Sequence, residues 1–143
     1  MEKQQVVERT IWINAPRERV WDAVTDAQQL QQWWGDYWEI TALEVGATVK
    51  FGDPADLMLA TVAIVDPPHV FRIQWPPQEQ YHMADMTTTF TLEAENNGTR
   101  VTVVETGFDG LPDDIRQKRY EQTASGYETV LVGLKSHVEQ KSA

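Results

Sequence analysis

The chain has 143 residues, 41% of them hydrophobic and 24% charged, which is ordinary globular usage and excludes wholesale disorder and fibrous repeats. Twelve Lys and Arg against 22 Asp and Glu leave a formal charge of -10, a field that repels phosphate backbones and anionic lipid headgroups, so neither nucleic acid nor a membrane surface is an expected partner of this acidic protein. Cysteine is absent, which removes disulfides, thiolate metal sites and cysteine nucleophiles.

A chain of this size buries roughly two thirds of its unfolded surface and is expected to form a single domain over residues 1–143. No apolar segment follows the polar stretch Met1 to Gln5, and the longest mostly apolar run, Leu57 to Val65, is far too short for a membrane span. A soluble, cytoplasmic protein is expected, as a monomer or weak homodimer.

Val7 to Asn14 alternates Val7, Arg9, Ile11 and Ile13 with Glu8, Thr10 and Trp12, the period of a strand. At Ala15-Pro16-Arg17-Glu18 the period changes. Pro16 suits a first helical position, Glu18 the positive end of the dipole, and Val20, Trp21 and Val24 form the stripe of a short helix ending near Val24. Asp26, with Gln29 three residues on, caps a second helix carrying Leu30, Trp33 and Trp34 and ended by Gly35.

Six strands follow, over Trp38 to Ala42, Thr48 to Phe51, Leu57 to Val65, Val70 to Trp75, Met86 to Glu93 and Thr99 to Thr106. The turns between them are marked by Gly46, Asp53-Pro54, Asp66-Pro67-Pro68, Trp75-Pro76-Pro77 and Asn97-Gly98. The last is read as a tight hairpin, whose two central residues need positive φ. Phe71, Ile73 and Trp75 share one face, as do Met86, Thr88, Phe90 and Leu92, so the sheet is antiparallel with one apolar face that needs a cover. Asp113 to about Glu139 supplies it, a long helix with Tyr120, Thr123, Ala124, Tyr127, Leu131, Leu134 and Val138 at spacings of three and four. Gly126 and Gly133 each cost this helix about 1 kcal/mol relative to Ala, and close approach to the sheet is the expected compensation.

One strand, two short helices, six strands and a long terminal helix is the order of the α+β helix-grip fold, a seven-stranded curved antiparallel sheet around a C-terminal helix. Ala15-Pro16 before Val20-Trp21 and Thr25-Asp26, then Trp33-Trp34-Gly35, Asp66-Pro67-Pro68 before Phe71 and Trp75, and Gly98-Thr99 through Glu105-Thr106-Gly107-Phe108 carry a further likeness. In these residues, and in Gly126-Tyr127 with Leu131 and Leu134, the chain resembles the homologues of the activator of heat-shock protein 90 ATPase, of the START-like or SRPBCC superfamily, over roughly residues 7 to 139. It departs from that pattern at Val45-Gly46-Ala47, where a paired glycine is common, at Tyr127, where Trp is more usual, and in the loop from Pro76 to Gln80, which would sit at a cavity mouth.

The resemblance implies a space between sheet and helix that takes a small hydrophobic or amphipathic molecule. Trp34, Phe51, Ile73, Trp75, Met86, Phe90, Tyr120 and Tyr127 are placed around it, with plain core packing as the alternative for each. No cofactor, metal or catalytic residue is assigned. The serines are Ser125, Ser136 and Ser142, without a nucleophile elbow; phosphate-binding glycine motifs are absent; and His69, His82 and His137 are scattered. His82 with Asp85 could orient an imidazole, but both are read as surface residues. Glu105 and Asp109 flank the Gly107-Phe108 corner, where a carboxylate could anchor a polar ligand group or hold a raised pKa; solvation, or capping of the turn, is the expected role. Asp109, Asp113 and Asp114 lack calcium-loop spacing, and Asn97-Gly98-Thr99 reads as a hairpin despite its glycosylation pattern. Arg116, Lys118 and Arg119 read as a solvated helix face, and Trp12 as surface-exposed or a dimer contact.

Non-catalytic binding of the small molecule is therefore the leading expectation. The alternatives are an enzyme of the polyketide cyclase or small-molecule hydrolase type in the same cavity, and a module that contacts heat-shock protein 90. Length disfavours the last, because the eukaryotic activator resembles this chain only over its C-terminal domain.

Overall fold

The structure is a computed structural model that describes residues 6–77 and 85–140. Gln78 to Gln80 and His82, singled out in the sequence, lie outside the described residues. The elements run β1 (Val7–Ile13), α1 (Arg17–Thr25), α2 (Ala27–Trp34), β2 (Tyr37–Ile40), β3 (Thr48–Asp53), β4 (Asp56–Asp66), β5 (Val70–Trp75), β6 (Met86–Glu95), β7 (Gly98–Thr106) and α3 (Asp113–Gln140), and a 3-10 turn at Phe108–Gly110 precedes α3. Among the described residues no helix is long and apolar enough to cross a membrane.

Local chemistry sets the boundaries between β1 and β2. Pro16 stands at the N-cap of α1, one residue before the first helical position expected from the sequence. Asp26 Oδ1 accepts from Gln28 N at 3.1 Å and so caps α2. Gly35, at φ 98°, ends α2 in the left-handed region that costs glycine nothing. The sharp exit turns the chain straight into β2, and Gln31 Nε2 on α2 ties back to the Trp38 carbonyl at 3.0 Å.

The strands form one antiparallel sheet in the order β1-β7-β6-β5-β4-β3-β2. Its register builds cross-sheet rows on the inner face. Val7 stands opposite Glu105, Glu105 opposite Thr88, Thr88 opposite Ile73 and Ile73 opposite Val62. The next row joins Arg9, Val103, Phe90 and Phe71. A register shift between Val62 and Ile64 interrupts β4, the kind of irregularity that bends a strand and deepens the curve of a sheet.

Helix α3 closes the inner face with Ala124, Tyr127, Leu131, Leu134 and Val138, all buried at helical spacing. The expected compensation for its glycines needs correction. A Cβ on Gly133 would stand 2.8 Å from the Trp33 carbonyl oxygen, so the close approach is to the end of α2 and not to the sheet; a Cβ on Gly126 would meet nothing within 4 Å.

The β6–β7 hairpin differs by one residue from its sequence reading. Glu95 pairs with Gly98, and the positive φ values fall on Asn96 (49°) and Asn97 (65°), which tolerate that region better than most residues. Gly98 serves another purpose, because a Cβ there would lie 2.4 Å from the Ile13 carbonyl oxygen and 2.7 Å from the Trp12 ring. Trp12 is accordingly half-buried. Its Nε1 donates to the Glu95 carbonyl at 2.7 Å, and Lys135 Nζ lies 5.3 Å from its ring centroid. Trp12 is a clamp across the hairpin, which corrects the surface-exposed half of its reading as surface-exposed or a dimer contact.

Candidate functional site

Between α3 and the strands from β2 to β7 lies a cavity of about 190 Å³. Its floor is buried and consists of Trp38, Ile73, Trp75, Thr88, Glu105 and Tyr127; around its mouth stand half-exposed Trp34, Phe51, Met58, Arg119, Thr123 and Val130, with Gly126 exposed. Trp34 is the centre of an aromatic cluster, with ring centroids 5.1 Å from Trp38, 5.9 Å from Tyr127 and 6.1 Å from Phe51, each pair edge-to-face. Phe51 also meets Trp75 at 5.6 Å. Such contacts hold large rings in fixed orientations without packing them face to face.

Of the eight residues assigned to a cavity from sequence, Trp34, Phe51, Ile73, Trp75 and Tyr127 line this one. Met86, Phe90 and Tyr120 do not. Met86 is wholly buried beneath Gly107, where an added Cβ would come 2.8 Å from the Met86 Cα. Phe90 is buried, its ring packed edge-to-face on Trp34 with centroids 6.3 Å apart. Tyr120 packs on Phe108 at 5.5 Å and donates its hydroxyl to the Val6 carbonyl.

Sequence reasoning missed Trp38, Met58, Thr88, Thr123, Gly126 and Val130, and misjudged two charged residues. Arg119 is not part of a solvated face but lines the cavity, while Arg116 does pair with Asp113. Glu105 is only 5% exposed and is neither solvated nor a turn cap, whereas Asp109 is exposed. Position on the strand explains the difference: Val101, Val103 and Glu105 alternate onto the inner face of β7, so the last of them delivers a carboxyl where its predecessors deliver methyl groups.

That carboxyl is held by an ordered set of hydrogen bonds. Trp75 Nε1 donates to Thr88 Oγ1 at 3.0 Å, so the threonine hydroxyl is free to donate its own proton to Glu105 Oε1 at 2.9 Å. Tyr127 OH donates to the same oxygen at 2.6 Å. Burial pushes the Glu105 pKa up; the bonds from Tyr127 and Thr88, and the charge of Arg119, pull it partly back. Burial and the adjacent Glu105 hold the Tyr127 phenol well above its ordinary range, so it remains a donor.

Chemically, the site offers apolar and aromatic walls, one buried carboxyl and one guanidinium. Among the described residues no group of three or more His, Cys, Asp or Glu could hold a metal ion. The two histidines among the described residues stay apart, His69 against Arg17 and His137 against Gln29.

Solved structures share this architecture. Protein MLL2253 from Mesorhizobium loti superposes with a TM-score of 0.81 at 19% identity, covering 95% of this chain and 98% of that one. The Aha1 dimer from Colwellia psychrerythraea gives 0.75 at 21%, covering 94% and 96%. DynU16, a protein in the dynemicin biosynthetic locus, gives 0.73 at 22%, covering 96% of this chain and 48% of that one. At these identities the likeness is one of fold, the helix-grip arrangement of a curved seven-stranded sheet and a long C-terminal helix. No curated protein matches the chain. The family described as Activator of Hsp90 ATPase homolog 1-like protein matches residues 14–139, and the chain belongs to that family.

Proposed function

We propose that this chain is a single START-like domain that binds a small hydrophobic or amphipathic molecule in the cavity between its sheet and α3, without catalysis. The observation that carries this reading is the combination of about 190 Å³ of aromatic-lined space with one hydrogen-bonded carboxyl on its floor. Concave apolar sites with a few fixed polar groups are what small-molecule ligands use. The domain acts as a monomer or weak homodimer, which light scattering at increasing concentration tests. Native mass spectrometry of freshly purified protein should show a co-purified small molecule. Three of the six tryptophans, Trp34, Trp38 and Trp75, line the cavity, so their emission should shift when a ligand enters. No bound mass, together with constant emission across fatty acids, sterols and aromatic compounds, would overturn the reading.

Glu105 favours a second reading, a cavity enzyme. A carboxyl whose pKa is raised by burial is suited to moving protons on a bound substrate. Deuterium exchange at the central carbon of a β-diketone, followed by NMR, separates the two. Acceleration that Glu105→Gln abolishes supports catalysis, and an uncatalysed rate supports the binder.

A further inference from the structure

The size of the cavity, its rings and the free side of its carboxyl together restrict what it can hold, given that it is a ligand site at all. An apolar cavity of about 150 Å³ accommodates one benzene ring, whereas drug-sized ligands occupy roughly 300–1,000 Å³. At about 190 Å³ the protein encloses one or two fused rings, and the greater part of a sterol or long acyl chain would be left in water. The walls present Trp34, Trp38, Phe51, Trp75 and Tyr127, whose ring edges and faces complement another aromatic ring better than a flexible chain.

The polar requirement follows from Glu105. Both hydrogen bonds that reach it, from Thr88 and Tyr127, end on Oε1, and among the described residues Oε2 receives none. Oε2 is the carboxyl atom left for whatever the cavity holds. A ketone pairs with it only when the carboxyl is neutral, and an ammonium only when it is ionised. A hydroxyl both donates and accepts, so it pairs with Oε2 in either state. Arg119, also in the lining, repels a cationic ligand that the aromatic walls would otherwise favour. We propose that the cavity takes a neutral aromatic molecule of one or two rings bearing a hydroxyl, with the rings among the tryptophans and the hydroxyl on Glu105 Oε2.

Isothermal titration calorimetry at pH 7 with 2-naphthol, naphthalene, palmitate and cholesterol tests this. The wild-type protein should bind 2-naphthol at least about tenfold more tightly than naphthalene, the worth of one good hydrogen bond to a charged or strongly polar group, and more tightly than palmitate or cholesterol. In Glu105→Leu the preference for 2-naphthol over naphthalene should vanish. Should that variant fail to fold, the wild-type ranking decides alone. Equal affinity for 2-naphthol and naphthalene, or tighter binding of palmitate or cholesterol than of either, overturns the proposal while leaving a binding domain. If none of the four binds, the proposal fails, and unchanged tryptophan emission across the wider ligand panel removes the binding reading as well.

Discussion

Gly126 and Gly133 sit seven residues apart in one helix, and the same substitution should move stability in opposite directions. At Gly126 a new Cβ meets nothing within 4 Å, so Gly126→Ala collects the full helix-propensity difference, about 1 kcal/mol, without steric cost. At Gly133 the Cβ would stand 2.8 Å from the Trp33 carbonyl oxygen. That oxygen belongs to backbone at the end of α2 and cannot rotate away, so α3 must shift. Overpacking of this kind costs typically 1–3 kcal/mol and exceeds the propensity gain. Urea unfolding followed by circular dichroism should raise the midpoint of Gly126→Ala by about 0.5 M with an unchanged slope and lower that of Gly133→Ala. A destabilised Gly126→Ala or a stabilised Gly133→Ala would refute the placement of α3. Gly126 also stands at the cavity mouth, so Gly126→Leu should keep most of the stability gain while weakening ligand entry.

Three further outcomes follow from burial and charge. Phe90→Ala should cost about 3–5 kcal/mol in chemical denaturation, because Phe90 is fully packed and outside the cavity lining, and it should alter ligand affinity less than Trp75→Ala does. Burial raises the Glu105 pKa in the folded protein, with Thr88, Tyr127 and Arg119 facing it. The stability tied to its proton is complete below the unfolded carboxyl's value, about pH 4, and is lost as pH rises through the raised value. The stability of the wild type relative to Glu105→Gln should therefore fall with pH across that window, and a rise would refute the assignment. Gly98→Ala should destabilise by more than Gly126→Ala stabilises, since Trp12 and the Ile13 carbonyl occupy the space, and loss of the Trp12 near-ultraviolet signal should accompany it.

How much of this was legible in the sequence depends on which physical quantity a pattern carries. Period two placed Phe71, Ile73 and Trp75 with Met86, Thr88, Phe90 and Leu92 on one face, and the register confirms it. The same count along β7 puts Glu105 on the face of Val101 and Val103, a signal that the nearby Gly107-Phe108 corner obscured by suggesting a solvated turn. Periodicity names a face but not the gap in front of it. Met86 and Phe90 share their face with Thr88, yet only Thr88 meets the cavity, because the Gly107 backbone packs close on Met86 and the Trp34 ring stands against Phe90. Likewise Tyr120 lies seven residues before Tyr127 on the same stripe, but at its level Phe108 fills the space. The hairpin slipped by one residue because Asn and Gly both accept positive φ, and only the Trp12 ring over Gly98 distinguishes them.

The cavity and the buried carboxyl are separate costs placed together. Interiors are close-packed, and space left unfilled costs about 24 cal/mol per Å³ where side chains surround it; opening at the mouth reduces that figure here but does not remove it. Burying Glu105 adds a desolvation cost that its two hydrogen bonds only partly offset. Against a total stability of about 5–15 kcal/mol for a domain, neither feature is explained by folding alone. Replacing the pair by apolar groups should show this directly. Glu105→Leu with Tyr127→Phe removes both partners of the 2.6 Å bond and keeps Thr88 as the acceptor for Trp75; the Thr88 hydroxyl loses Glu105 as its own acceptor, but it lines the cavity, where water entering by the mouth takes that bond. Buried polar pairs replaced in this way are often neutral or stabilising. The double variant should unfold at a urea concentration equal to or above that of the wild type, and should lose the preference for a hydroxylated ring. If instead it is strongly destabilised, the network holds the sheet to α3 and the cavity is a by-product of that bracing.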